Sequence, residues 1–108
     1  MERGRYYDSR YGHNHYYPTR GTYVQVLPGG YRAVYYHGLR YYFYGGVWYR
    51  PYGVRYVVIA PPIGVIVPIL PPSYATVWVG GVPYYYANNV HYVRAPGGYT
   101  VVNPPPGY

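Results

Sequence analysis

The chain has 108 residues, half of them hydrophobic, a formal net charge of +7 at pH 7 and no cysteine. That leaves room for one small domain and excludes disulfides and thiolate metal sites. Every basic residue is arginine, the only acids are Glu2 and Asp8, and 22 tyrosines stand beside 15 glycines and 13 prolines.

Residues 1–22 read as an Arg/Tyr-rich arm. Met1-Glu2-Arg3-Gly4-Arg5 is charged and nothing apolar follows before Tyr23, so no signal peptide is read there. Residues 3–12 have Arg/Tyr/Gly composition and no period, which predicts disorder for that segment by itself. His13 and His15 stand two apart and share one side of a strand. The arm ends in a Pro-x-x-Gly step at Pro18 and Gly21, which recurs at Pro61/Gly64 and Pro104/Gly107.

Residues 23–65 and 66–108 are one 43-residue unit written twice without a gap, with 15 identities from Val24/Val67 to Gly64/Gly107. A fixed period of this size marks a repeat architecture whose units bury their apolar faces against each other. Helix is disfavoured, because β-branched and aromatic residues dominate and Gly or Pro interrupts every few positions. The first strand of each unit is Tyr31–Tyr36 or Tyr74–Val79, entered through Leu-Pro-x-x-Tyr. Next comes a hairpin, 40–44 with 47–50 around Gly45-Gly46, matched by 84–87 with 90–93 around Asn88-Asn89. Two-residue type I′ turns need positive φ at both central residues, which Gly and Asn tolerate best. A further strand follows at Tyr56–Ala60 or Tyr99–Asn103. The expectation is an all-β fold of two tandem repeats with about four to five short strands each. It is a hairpin-rich sandwich or barrel-like domain (23–108) preceded by an extended N-terminal arm. The longest apolar stretch, 57–70, is broken by three prolines and a glycine and is too short to span a bilayer as a helix, so no transmembrane segment is read.

The order of residues at 61–74 (PPIGVIVPILPPSY), 77–93 (VWVGGVPYYYANNVHYV) and 97–107 (GGYTVVNPPPG) resembles an uncharacterised family of tyrosine-rich bacterial domains. Members of that family usually follow a secretion signal or lipoprotein leader. The resemblance implies an extracellular or envelope location. It implies no activity and assigns no functional residue.

Catalysis is not expected. The body offers His37 and His91 without a carboxylate to orient either, and a general acid–base site needs a tuned pair. No cofactor is expected, and no metal: His13 and His15 lack the ligands that complete a zinc or calcium site. Nucleic acid is an unlikely partner, since five arginines over 86 residues make a thin footprint. Self-assembly collects the most signals. Neither lysine nor acid blunts the sheet edges of the body, and the arm ends in a degenerate copy of the strand joining the two units. A homopolymer is therefore expected, a filament or matrix formed when the arm adds a strand to a neighbour. The arm residues are Glu2, Tyr6, Tyr7, Asp8, Tyr11, His13, His15, Tyr16 and Tyr17. Arg32, Arg40, Arg50 and Arg55 of the neighbouring subunit are the expected acceptors of the arm's acids. The alternative is a monomeric envelope module that binds an anionic or glycan polymer, or single-stranded nucleic acid, through Arg and exposed Tyr and Trp.

Overall fold

The computed structural model describes residues 4–108. Among them are twelve strands and no α-helix. β1 (Arg5–Asp8) and β2 (His15–Pro18) pair antiparallel around a 3-10 turn at Arg10–Gly12. The first repeat contributes β3 (Tyr23–Val24), β4 (Arg32–Tyr36), β5 (Leu39–Tyr44), β6 (Val47–Tyr52) and β7 (Arg55–Ile59). The second contributes β8 (Ile66–Val67), β9 (Ala75–Val79), β10 (Val82–Ala87), β11 (Val90–Ala95) and β12 (Gly98–Val102). Each repeat closes one five-stranded antiparallel sheet, ordered β3-β7-β6-β5-β4 in sheet 1 and β8-β12-β11-β10-β9 in sheet 2. The two sheets stack as a sandwich and do not close a barrel.

The turns explain the meander. Gly45 and Gly46 have φ of 57° and 89°, and Asn88 and Asn89 have 53° and 63°, as a type I′ connection demands. Gly46 is doubly constrained, because a Cβ there would sit 3.2 Å from Pro71 and 3.4 Å from the Tyr17 ring. The repeat extends to individual hydrogen bonds. Gly21 N–H donates to the Val58 carbonyl at 2.7 Å, and Gly64 N–H donates to the Val101 carbonyl at 2.8 Å. The Pro-x-x-Gly steps therefore do one job, turning the chain onto the edge of the next sheet.

The arm corrects the expectation. It is neither extended nor structureless but a hairpin folded against its own body, with Asp8, His13 and Tyr17 buried. Apolar and aromatic burial overrides its polar composition, because Tyr6 and Tyr17 have a tyrosine-rich sheet face to pack on.

Two hydrophobic clusters result. One lies between the sheets, around Phe43, Trp48, Val67, Tyr92 and Val101. There the Trp48 indole N–H donates to the Tyr92 hydroxyl at 3.1 Å, giving both buried polar tips a partner. The other lies between sheet 1 and the arm, around Tyr17, Tyr42, Tyr49 and Val58.

Burial pushes the Tyr17 and Tyr86 phenols up to about 12, and Tyr6 and Tyr92 higher still. Their pKa values are raised above the unfolded value near 10, so the unfolded chain gives up these protons first as pH rises. The contribution of these phenols to folding stability is thus full below about pH 10 and falls as pH rises from there through about 12. Ultraviolet titration should show exposed phenols ionising first and these four only as circular dichroism reports unfolding. Ionisation of every tyrosine in one step near pH 10 with the fold intact would contradict this packing.

Candidate functional site

Asp8 organises the corner where the hairpin turns of the two sheets meet. Its side chain is 4% exposed and is held by three donors. The Tyr86 hydroxyl and the Arg10 N–H donate to Oδ1 at 3.0 and 3.2 Å, and the Asn88 N–H donates to Oδ2 at 2.9 Å. A buried carboxylate requires such compensation, and charge-assisted bonds supply about 1.5–3 kcal/mol each. Around it, Tyr6 donates to Asn88 Oδ1 at 2.5 Å, and Asn88 Nδ2 donates to the Gly46 carbonyl at 3.0 Å. Arm, first turn and second turn are thereby tied into one knot.

From this knot the arm grips the sandwich on both sides. Tyr6 and Tyr17 pack on the outward face of sheet 1. The 3-10 turn lies on the outward face of sheet 2, with Tyr11 edge-on to Tyr86 at 4.9 Å and to His91 at 5.9 Å. Tyr11 and His91 also share a hydrogen bond at 3.3 Å. Burial, helped by the Arg10 charge, holds the His91 imidazole below its usual range, so it stays neutral at neutral pH.

The repeat register reveals how the layers stack. Val24, Leu27, Tyr42, Val47, Tyr49, Tyr56 and Val58 face the arm. Their counterparts 43 residues later, Val67, Leu70, Tyr85, Val90, Tyr92, Tyr99 and Val101, face sheet 1. The arm therefore occupies on sheet 1 the place that sheet 1 occupies on sheet 2. The opposite face of sheet 1 (Val34, Tyr36, Tyr41, Phe43, Trp48 and Ile59) is spent on the inter-sheet core. Its counterparts Val77, Val79, Tyr84, Tyr86, His91 and Val102 alternate with the inward residues of sheet 2 and so point outward. The 3-10 turn covers Tyr86 and His91, while Val79, Tyr84, Val93 and Val102 remain half-buried and Val82 is exposed. The layers follow one another head to tail, and the last has an apolar face to spare.

The model of a family of unknown function, DUF6515, matches residues 2–108. The chain belongs to that family. Comparison with curated proteins and with solved structures finds no match. For this DUF6515 member, function must therefore be read from its own geometry.

The residues singled out in the sequence fall into three places. Tyr6, Asp8, Tyr11, His13 and Tyr17 converge on the corner. His13 spends its ring nitrogens on the Ser73 carbonyl at 2.8 Å and the Tyr17 hydroxyl at 2.5 Å. His15 stacks on His13 at 4.7 Å, yet among the described residues no three His, Asp or Glu converge as a metal set would. Tyr7 and Tyr16 pair on the outer side of the arm and are exposed. Glu2 lies outside the described residues.

Within one chain Asp8 is bonded at the corner, and Arg32, Arg40, Arg50 and Arg55 lie elsewhere. Arg32 borders an apolar groove, Arg40 bonds the Tyr42 hydroxyl, and Arg50 and Arg55 lie over Tyr52 and Tyr23. The sequence showed Gly45, Gly46, Asn88 and Asn89 as turn residues but hid what the Asn88 side chain does. The signal was the change from Gly-Gly to Asn-Asn, which adds amides where backbone freedom alone was needed. Arg10 and Arg20 were also missed, and both donate to Asn89 at 3.4 Å.

Asp8→Ala leaves the Tyr86 hydroxyl and Asn88 N–H without their acceptor. It should cost at least about 2 kcal/mol in urea unfolding. A loss under about 0.5 kcal/mol would mean that the carboxylate is not what ties the corner.

Proposed function

We propose that the chain is a non-catalytic structural protein that assembles head to tail, forming a filament or matrix at the cell envelope or outside the cell. One observation carries this reading. Sheet 2 keeps, on its outward face, the repeat positions that sheet 1 uses to bury the next layer. A repeat stack whose apolar end is only partly covered either carries a further cap or takes on another unit. The available unit is the outermost layer of a second copy, the arm, whose outer side presents Tyr7 and Tyr16. Such a contact joins two different surfaces, and open-ended growth follows unless the rotation closes a ring.

The role of the arm differs from simple strand donation. Its inner face packs on sheet 1 and its carboxylate is held in the corner, so it serves as a layer of the stack. The edges add support. β9 carries no charged residue and presents Trp78 at 65% exposure, a profile that natural edge strands avoid unless they are used. The envelope or extracellular setting rests on the family resemblance. A non-catalytic role accords with a body whose arginines have no carboxylate beside them to build acid–base chemistry.

Two variants test the contact. Val82→Lys/Val93→Lys charges the outward face of sheet 2, and Tyr7→Ser/Tyr16→Ser removes the aromatic side of the arm. In sedimentation the parent chain should self-associate and each variant alone should not. An equimolar mixture should give one-to-one dimers, because each variant retains one working surface. Self-association of the tyrosine variant alone would instead indicate a symmetric contact of sheet 2 with itself. A parent chain that stays monomeric at high concentration would remove the assembly reading altogether.

A further inference from the structure

We infer that sheet 1 carries a binding shelf for an acidic polysaccharide, separate from the stacking surfaces. Strand pairing places Arg50 beside Val57 and Val57 beside Tyr23, and sets Tyr52 opposite Arg55. All four polar and aromatic residues lie on the face of sheet 1 that holds Trp48, two and four residues along β6. Trp48 is buried against sheet 2, whereas Arg50, Tyr52 and Tyr23 are exposed. The face therefore continues past the part that sheet 2 covers.

The side chains on this overhang are already arranged. The Arg55 guanidinium lies 4.5 Å from the Tyr23 ring centroid, and that of Arg50 lies 5.6 Å from Tyr52. The two rings meet at 5.2 Å, tilted by 59°. A guanidinium laid over a ring keeps its N–H edges directed outward, where they fit a carboxylate in bidentate fashion. Beside Arg50 is a depression of about 500 Å³ lined by Leu39, Arg40, Tyr41, Arg50 and Pro51. It adds a further aromatic wall, Tyr41. No carboxylate side chain exists beyond residue 8 to neutralise these arginines, so their mutual repulsion is relieved by an anionic ligand.

The repeat shows that the fold does not need this set. The counterparts of Tyr23, Arg50, Tyr52 and Arg55 are Ile66, Val93, Ala95 and Gly98, and sheet 2 builds the same strands without them. The exposed Tyr23 and Tyr52 rings offer apolar surface to the C–H groups of pyranose units beside the guanidinium groups. A sugar chain with a carboxylate on its rings meets both requirements of the shelf.

The test titrates the full chain with a galacturonic acid hexamer, read by calorimetry at low and high salt. A neutral glucose hexamer and an oligothymidine of twelve nucleotides serve as comparisons. The acidic sugar should bind with an affinity that falls as salt rises, and the neutral one should not bind measurably. Tyr23→Ala/Tyr52→Ala and Arg50→Gln/Arg55→Gln should each weaken binding at least about fivefold, with circular dichroism unchanged. Arg94→Gln, at the Arg94–Tyr99 pair of sheet 2, should leave it as it was. Equal loss with Arg94→Gln would reduce the effect to general charge and overturn the shelf. So would tighter binding of the oligothymidine, or absence of acidic-sugar binding by the parent chain.

Discussion

A carboxylate taken out of water must be met by donors on every side, and Asp8 is the place where this molecule accepts that demand. Its three donors come from the arm itself and from the strand and turn of sheet 2. Asn88, held by it, reaches across to Gly46 of sheet 1. The arrangement fixes where the arm lies, and the arm's position fixes which face of sheet 1 is covered. Without this corner the two tyrosine-rich faces of sheet 1 would not be equivalent to layers in a stack, since one of them would meet water. Electrostatic compensation and aromatic burial thus act on the same segment and in the same direction.

The second organising fact is the sense of stacking. Two copies of one β unit most simply meet face to face about a two-fold axis, burying the same positions from each. Here the buried positions differ. Tyr42 and Tyr49 look toward the arm, while their counterparts Tyr85 and Tyr92 look toward sheet 1. The Trp48 counterpart, His91, is on the far side beneath the 3-10 turn. This explains an otherwise puzzling drift in the sequence, from Phe43 and Trp48 in one copy to Tyr86 and His91 in the other. The first pair fills a dry core, and the second carries polar atoms that the arm can meet.

Much of the fold was legible. The 43-residue register, the paired Gly-Gly and Asn-Asn turns and the absence of helix formers led to two β units of about four to five short strands with tight hairpins. The third Pro-x-x-Gly, at Pro18 and Gly21, already marked the arm as kin to the strands that join units. The arm's own fate was not legible, because its composition is that of a disordered segment and its ordering comes from partners 80 residues away, such as Asn88 and His91. The direction of stacking was hidden for a related reason. Strand alternation says that residues divide between two faces, but not which face meets which neighbour. The shelf was half visible, as arginines among tyrosines, and only strand pairing put Tyr23, Arg50, Tyr52 and Arg55 on one surface.

Native-state hydrogen exchange, resolved by residue, addresses the ordered arm most directly. If the corner binds the arm as a structural layer, the amides of Tyr17 and Asn88 will exchange only at the rate of global opening, together with those of Tyr49 and Tyr92. Amides of the arm exchanging by fast local opening, while the sheets remain protected, would show that the leading hairpin is not part of the stack.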